Sequence, residues 1–363
     1  MTCRQHHWRV VPSDDLTRET ATRMAEFFSE RPESAERKIA YTPEYFLWKI
    51  NGNPAGPGFV SLAVDEDRIV GTLTLTRKRL WFRGRGIMAV EMADGLVDRD
   101  YRGRGIHAAL VADARTRALA DNVELLCGFI ETDSVSLRVH EEKCFSLRKP
   151  NLDLYIYVLP LKPVRQLLGK SESMESLIRN NVFEGVRIPE LNSHASHSTG
   201  HQEPCLRFDA FFDRLDEKLR RRYAFIFSRS AEDLRFRYGD SPEKEPFRML
   251  VKRDSANEPE AVLIYKSIAR DDLRVLFVAD MYGANNDSVI DAWMGILEWG
   301  LMNDYDTVAL WATNRWFEPF NEFPCPPVPI ARREMVFFHN ELGKELLNDG
   351  GVWHVSISDS NNI

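Results

Sequence analysis

Six residues, Arg102-Gly-Arg-Gly105-Ile-His107, have the composition to hold a phosphate. Glycines bring backbone N–H groups close to an anion because no Cβ stands in the way. The apolar positions that follow, Ile106, Leu110, Val111, Ala114 and Ala118, fall at helical spacing and predict a helix from Ile106 to Leu119. The first turn of such a helix adds unpaired N–H donors and the positive end of its dipole. With the charges of Arg102 and Arg104, the stretch is a candidate pyrophosphate site. It is too short for a P-loop and lacks the Gly spacing of a dinucleotide fold. Taken alone, it also reads as a basic surface turn.

The elements around the turn are legible. His7–Val11 reads as a strand, and Ser13–Asp14 supply cap chemistry for a helix through Phe28. Thr42-Pro-Glu opens a second helix carrying Tyr45, Phe46 and Trp48, closed by Asn51-Gly-Asn-Pro54. Phe59–Val64 and Arg68–Thr76 form a hairpin through Asp65-Glu-Asp67, and the strand Met88–Val97 leads straight into the glycine turn. After the long helix come a strand at Leu125–Ile130, a short helix at Ser134–Lys143 and a strand at Leu152–Leu159. From there the pattern weakens into a possible helix at Val164–Asn180 and a polar stretch at Asn192–His201. His194, His197 and His201 have no acid or cysteine beside them, so they read as a solvated loop and not as metal ligands.

The same grammar then returns. PEYFLWKINGNP and AEDLRFRYGDSP align at an offset of 188, with Glu44 on Glu232, Trp48 on Phe236 and Pro54 on Pro242. Strand candidates Phe247–Val251, Ala261–Ser267 and Leu273–Ala279 follow, then a helix at Val289–Leu301 and a strand at Thr307–Ala312. A shared order at one offset predicts a duplicated fold. Where the glycine turn should recur, Asp280-Met-Tyr-Gly-Ala-Asn-Asn-Asp287 offers one glycine, no arginine and two acids that repel a pyrophosphate. Trp293, Trp299 and Trp311 have core spacing, whereas Trp316–Phe320 and Phe323–Pro329 are irregular enough to line a pocket.

The glycine turn resembles the hallmark of the GNAT superfamily of acyl-CoA-dependent N-acyltransferases. That hallmark is Gln or Arg, two residues, Gly, one residue, then Gly or Ala; Arg102 and Gly105 match, and His107 departs at the last place. A second family pattern falls on Asp133, Ser136, His140, Cys144 and Phe145, with Asp133 for the usual Asn, His140 for the usual Tyr and Cys144 for the usual Gly. The resemblance covers about Trp8 to Val158. It implies α/β (α+β) architecture as two tandem GNAT-like domains, each a mixed, mostly antiparallel twisted sheet flanked by helices. Residues 1–160 would bind acyl-CoA, 161–204 would link, and 205–363 would be a degenerate copy. Tandem arrangements of this kind also resemble peptidoglycan aminoacyltransferases and N-myristoyltransferases.

From the resemblance, the two central strands splay and the thioester lies in the gap. Leu96 and Val97 would pair with the pantetheine through their backbones, and Arg102, Gly103, Arg104, Gly105, Ile106, His107, Asp133 and Ser136 would complete the CoA site. Acyl transfer to an amine needs a neutral nucleophile, donors for the oxyanion and a proton for the leaving thiolate. Glu91, Asp94, Glu131 and Asp133 would stand near the acceptor mouth, with Glu91 and Glu131 as leading base candidates. His140 occupies the place of the thiolate-protonating tyrosine and is the candidate acid, though a helical His also serves simply to pack. A Cys144–His140 nucleophile is disfavoured, because a small packed residue at that place needs no reactivity.

Composition sets the limits. The chain has 363 residues, 44% hydrophobic and 28% charged, which predicts two or three ordered domains at about 150 residues each. A net charge of −7 argues against a nucleic-acid or anionic-membrane partner. Five scattered cysteines without a C-x-x-C pair, no signal-like start and no spanning run predict a cytoplasmic protein without a cysteine zinc site. The expected function is acyl transfer, most simply from acetyl-CoA, to a small-molecule amine such as an amino sugar or natural-product precursor, without a metal. A catalytically silent CoA-binding or scaffold protein is the alternative.

Overall fold

A computed structural model describes residues 7–13, 16–31, 41–144, 146–148, 152, 154–161, 207–242, 246–270, 272–313, 328–338, 340–356 and 359. The chain begins with β1 (Trp8–Ser13), α1 (Arg18–Ser29) and α2 (Pro43–Asn51). Thr17 and Thr42 cap these helices through their side chains, and Pro43 enters at the first helical position, where no N–H is needed. A hairpin series follows: β2 (Phe59–Asp65), β3 (Arg68–Phe82) and β4 (Arg85–Val97). A short 3-10 turn at Arg99–Tyr101 leads to α3 (Ile106–Ala120), β5 (Leu125–Glu131), α4 (Val135–Lys143), β6 (Ser146–Arg148) and β7 (Leu154–Pro160). β3 runs beyond the expected Thr76 because the alternation continues, with Thr76, Lys78, Leu80 and Phe82 on the buried face. The charges of Arg77, Lys78 and Arg79 hide that period in the sequence.

The rest of the chain contributes α5 (Ala210–Arg222), β8 (Phe225–Phe227), α6 (Ala231–Leu234, continued by a π turn at Arg235–Gly239), β9 (Arg248–Arg253), β10 (Pro259–Arg270) and β11 (Leu273–Gly283). It ends with α7 (Asn286–Met302), β12 (Thr307–Thr313), β13 (Val328–Phe338), α8 (Glu341–Asn348) and β14 (Trp353–His354). The helix expected at 164–180, the polar stretch at 192–201 with its three histidines, and Trp316, Phe317 and Phe320 lie outside the described residues.

The two sheets expected from the sequence are one. Fourteen strands form a continuous sheet along β1-β2-β3-β4-β5-β13-β7-β12-β11-β10-β9. β7 does not pair beside β5; it makes an antiparallel ladder with β12, Leu154 opposite Thr313 to Pro160 opposite Thr307. β13 takes the place beside β5 and also pairs with β7. Each of these late strands thus covers the edge that another stretch of chain would leave open. On the two sides of the β13–β7 junction the elements follow the same order, with parallel pairs β4–β5 and β11–β12 at corresponding places. Trp48 and Phe236, which align at an offset of 188, meet across the junction. Their rings stack at 4.8 Å, and Trp48 Nε1 donates to the Phe236 carbonyl at 3.1 Å.

Helices cover both faces around the glycine turn. One face of β2–β5 packs Val90, Met92 and Leu126 under Ile106, Leu110, Val111 and Ala114 of α3. The other packs Val60, Leu62 and Leu96 under Met24, Phe28, Phe46 and Ile50 of α1 and α2. Burying such side chains contributes roughly 1.5–3 kcal/mol each relative to exposure, which fixes the sheet between its layers.

Candidate active site

Strands β4 and β5 run side by side only from Ala89–Leu125 to Met92–Gly128. Beyond that level β4 continues to Val97 and β5 to Glu131, which pairs instead with Arg333 of β13. The two strands therefore part, leaving a gap whose β4 wall is Ala93–Val97. A bulge lies in this wall: Thr72 faces Leu96 and Thr74 faces Ala93, so Asp94 and Gly95 together stand opposite the single Leu73 and β4 carries one extra residue. Asp94 holds a left-handed φ of 48° and is buried. Its carboxylate takes Lys49 Nζ of α2 at 2.5 Å and the Thr74 hydroxyl at 2.7 Å, and Oδ1 has no hydrogen-bond partner. The Asp-Gly pair inside a strand is the sequence signal for this bulge.

The glycine turn closes the gap at its open end. Gly103 and Gly105 have φ of 76° and 79°, a conformation that disfavours any side chain, and a Cβ built on either meets nothing within 4 Å. The turn is anchored from behind. Asp98 takes Arg31 at 2.6 Å, Arg68 at 2.8 Å and the Asp100 N–H at 3.0 Å, and the Tyr101 hydroxyl donates to Asp65 at 2.7 Å. Burial raises the Asp98 pKa, but the Asp100 N–H and Arg31 outweigh it and hold the carboxyl below its usual range. α3 starts at Gly105 with no side-chain cap, whereas every other α-helix among the described residues has one: Thr17, Thr42, Ser134, Asp209, Ser230, Asn285 or Asn340. No side chain caps its first-turn N–H groups, the arrangement in which a helix start can take an anion. Arg102 and Arg104 are exposed, held by bonds to the carbonyls of Val97 and Asp100. Ile106 is a core side chain and can offer the turn only its backbone.

The remaining expected residues are distributed around the gap. Glu91 lies just below the parting of the strands, buried, with Lys78 Nζ at 3.3 Å. Burial is the main cause that pushes Lys78 down to about 8, against the pull of Glu91; Arg237 lowers it further and Asp359 raises it. Glu131 is exposed at the end of β5, three residues beyond the last β4–β5 pair, so the two candidate bases differ in setting. Asp133 is exposed in the turn before α4 with φ of 64°, and Ser136 is half-buried in its first turn. His140 is buried and does not stand alone: its Nε2 lies 3.3 Å from His107 Nε2. Leu96 is core, with only its backbone along the gap. Cys144 packs beside α3, and burial raises its thiol to about 11, as expected for an unreactive small residue. Nothing local in the sequence marks Lys78 or the His107–His140 contact; both depend on neighbours brought in by the fold.

Across the junction the corresponding gap is filled. β11 and β12 pair from Val275–Thr307 to Val278–Leu310 and then part. Beyond that level sit Arg229, Asp280, His354, Ser356 and Asp359, all buried. Arg229 reaches Asp280 and Asp359 at 2.7 Å each, and His354 lies 3.5 Å from Asp280. Asp280 is therefore a strand residue in an ion cluster and not part of a turn, a correction to the sequence reading. Only Ala284 and Asn285 separate β11 from α7, and the Asn285 side chain caps that helix.

Residues 21–144 match the acetyltransferase (GNAT) family. The chain carries a GNAT acetyltransferase domain. With it comes the fold of an acyltransferase enzyme. A GCN5-related N-acetyltransferase from Anabaena variabilis is similar, at a TM-score of 0.57 and 12% identity over 91% of this chain and 72% of that one. A probable N-acyltransferase from Enterococcus faecalis gives 0.55 and 11% over 91% and 72%. N-myristoyltransferase from Saccharomyces cerevisiae, solved with myristoyl-CoA bound, gives 0.54 and 12% over 91% and 82%. At these identities the likeness is one of fold. No curated protein sequence matches the chain. No helix among the described residues is long and apolar enough to cross a membrane.

Proposed function

We propose that the protein transfers an acyl group, most simply acetyl, from acyl-CoA to a small-molecule amine. The observation that carries this reading is the β4–β5 gap ending in an uncapped helix whose two turn glycines leave their Cβ positions open. That arrangement suits a chain with a pyrophosphate at one end and a flat, amide-bearing arm along a strand wall. In this reading the chain is two tandem GNAT-like halves that exchange their last strands, and only the first binds CoA. The second gap is occupied by Arg229 and its partners, and Asn285 occupies the cap position there.

Glu91 is the leading base, beside Lys78 Nζ at 3.3 Å and one residue below the last β4–β5 pair. Glu131 stands at the opposite wall, exposed to an incoming amine. The acceptor is a small molecule and not a polyanion, because the chain carries −7. Two buried free cysteines fit work in a reducing cytoplasm.

A panel of CoA and acyl-CoA donors in a thermal-shift assay, followed by free-thiol release with a set of amines, tests the reading. Acetyl-CoA should raise the melting temperature and at least one amine should release CoA. Arg102→Ala with Arg104→Ala should remove the donor response; survival of the response would show that the site is elsewhere. A silent CoA-binding protein, the second reading, is favoured by the burial of His140 against His107 and shows as binding with no thiol release for any amine.

A further inference from the structure

Three side chains from three elements form a line into the gap. Ser146 Oγ of β6 lies 3.2 Å from His140 Nδ1, and His140 Nε2 lies 3.3 Å from His107 Nε2. The imidazoles meet edge to face, centroids 5.3 Å apart at 67°. Ser146 is half-buried, so the line begins within reach of water, while His140 is buried. At the other end His107 is half-buried and lies over the bulge. A Cβ built on Gly95 would stand 3.4 Å from His107 Cε1 and 3.8 Å from its Nδ1.

A serine hydroxyl both donates and accepts, and the line delivers a proton to the gap in the arrangement where Ser146 donates. A hydroxyl that donates to His140 Nδ1 requires the Nε2–H form of that ring. That proton then points at His107 Nε2, which must accept, and the His107 proton is left on Nδ1 at the gap. We infer that His107 is the group that protonates the departing thiolate, with His140 and Ser146 as the relay behind it. This rests on the acyltransferase reading and corrects the expectation that His140 itself meets sulfur, because the His140 nitrogens face His107 and Ser146.

The step balances. As the amine nitrogen bonds to the acyl carbon, the C–S bond breaks and its electron pair stays on sulfur. Sulfur takes the His107 Nδ1 proton, His107 Nε2 takes the His140 Nε2 proton, and His140 Nδ1 takes the Ser146 hydroxyl proton. The proton given up by the amine enters through water at Ser146 Oγ as the hydroxyl proton leaves, so the shift is concerted and neither alkoxide nor hydroxide forms. Burial lowers the pKa of both imidazoles, His140 to about 3 with a smaller push from His107, so the relay runs between neutral rings. Of the charged side chains on the same elements, Arg138, Glu141, Glu142 and Lys143 of α4, Arg115 of α3, Arg148 of β6 and Arg102 and Arg104 of the turn are exposed, whereas Asp113 and Arg117 of α3 are half-buried and paired with each other at 3.8 Å.

Two measurements test this. In two-bond proton–nitrogen correlation spectra of histidine-labelled protein, His107 should be the Nδ1–H form and His140 the Nε2–H form. Ser146→Ala should release His140 from its single form. With saturating acetyl-CoA and the amine panel, His107→Gln and His140→Gln should each lower kcat for thiol release about tenfold or more, and the pair should be no slower than either. Opposite tautomers, a His107→Gln protein at wild-type speed, or effects that multiply would overturn the relay. So would the expected tautomers in a wild-type protein that binds CoA and turns nothing over. Failure of the wild-type protein to bind CoA would sink the acyltransferase reading instead, and the tautomers would still decide whether the line exists.

Discussion

Gly105→Ala separates what the fold needs from what the ligand needs. Gly105 sits at φ of 79°, where a Cβ costs about 1–2 kcal/mol from its own backbone. No neighbour lies within 4 Å of that Cβ, so no clash adds to the cost. At about 2–4 °C per kcal/mol for domains of 150–250 residues, the melting temperature should fall by only about 2–8 °C. Binding should suffer far more, because the methyl group enters the space where the pyrophosphate must approach. Loss of one or two charge-assisted hydrogen bonds at about 1.5–3 kcal/mol each weakens CoA at least about tenfold and up to about 10⁴-fold. Gly84, with φ of 76° and equally open surroundings, lies at the other end of β4 and is the control. Gly84→Ala should cost the same stability and keep the CoA response. Melting curves with and without acetyl-CoA near 100 times its dissociation constant, where ligand stabilisation is about 2.7 kcal/mol, read both quantities. An unchanged CoA response in Gly105→Ala, or its loss in Gly84→Ala, refutes the assignment of the turn.

Two further outcomes follow from buried charge. Lys49→Met leaves the Asp94 carboxylate buried at 2% exposure without its 2.5 Å cation, which should cost about 3–5 kcal/mol in urea unfolding. Adding Asp94→Asn should recover part of that, since Asn tolerates the left-handed φ; no recovery would mean the lysine acts through packing alone. His140, lowered to about 3 from 6.5, must stay neutral in the folded chain while the unfolded chain takes up a proton. Stability is therefore full above about pH 6.5 and lost as pH falls, by about 3 kcal/mol at pH 4.5 from this group. His107 and His354, also lowered by burial, add in the same direction, whereas Asp98 and Asp349, lowered from 3.8, matter only below about pH 4. His140→Gln should flatten the pH dependence of unfolding; an equal slope would show that the imidazole is not held neutral.

Local chemistry in the sequence determined the parts that depend on a few neighbouring residues. The glycine turn, the helix behind it, the capped helices α2 and α4 and the hairpins were legible because backbone conformation, capping and apolar period are short-range properties, whereas the cap of α1 is Thr17 and not Ser13–Asp14, since Ser13 ends β1. The aligned Trp48 and Phe236 even marked two places that meet, although alignment could not say that they touch. What the tertiary structure decided is which distant groups share a space. β13 entered between β5 and β7, and Arg229 with Asp359 filled the second gap, because strand edges and buried charges take whatever partner the fold supplies. Glu91 looked like a free carboxylate until Lys78, hidden among arginines, proved to lie beside it. His107 read as a misfit in a phosphate turn and His140 as a lone acid. Only the packing of α3 against α4 set them 3.3 Å apart, because side chains 33 residues apart in sequence meet where the fold crosses their helices.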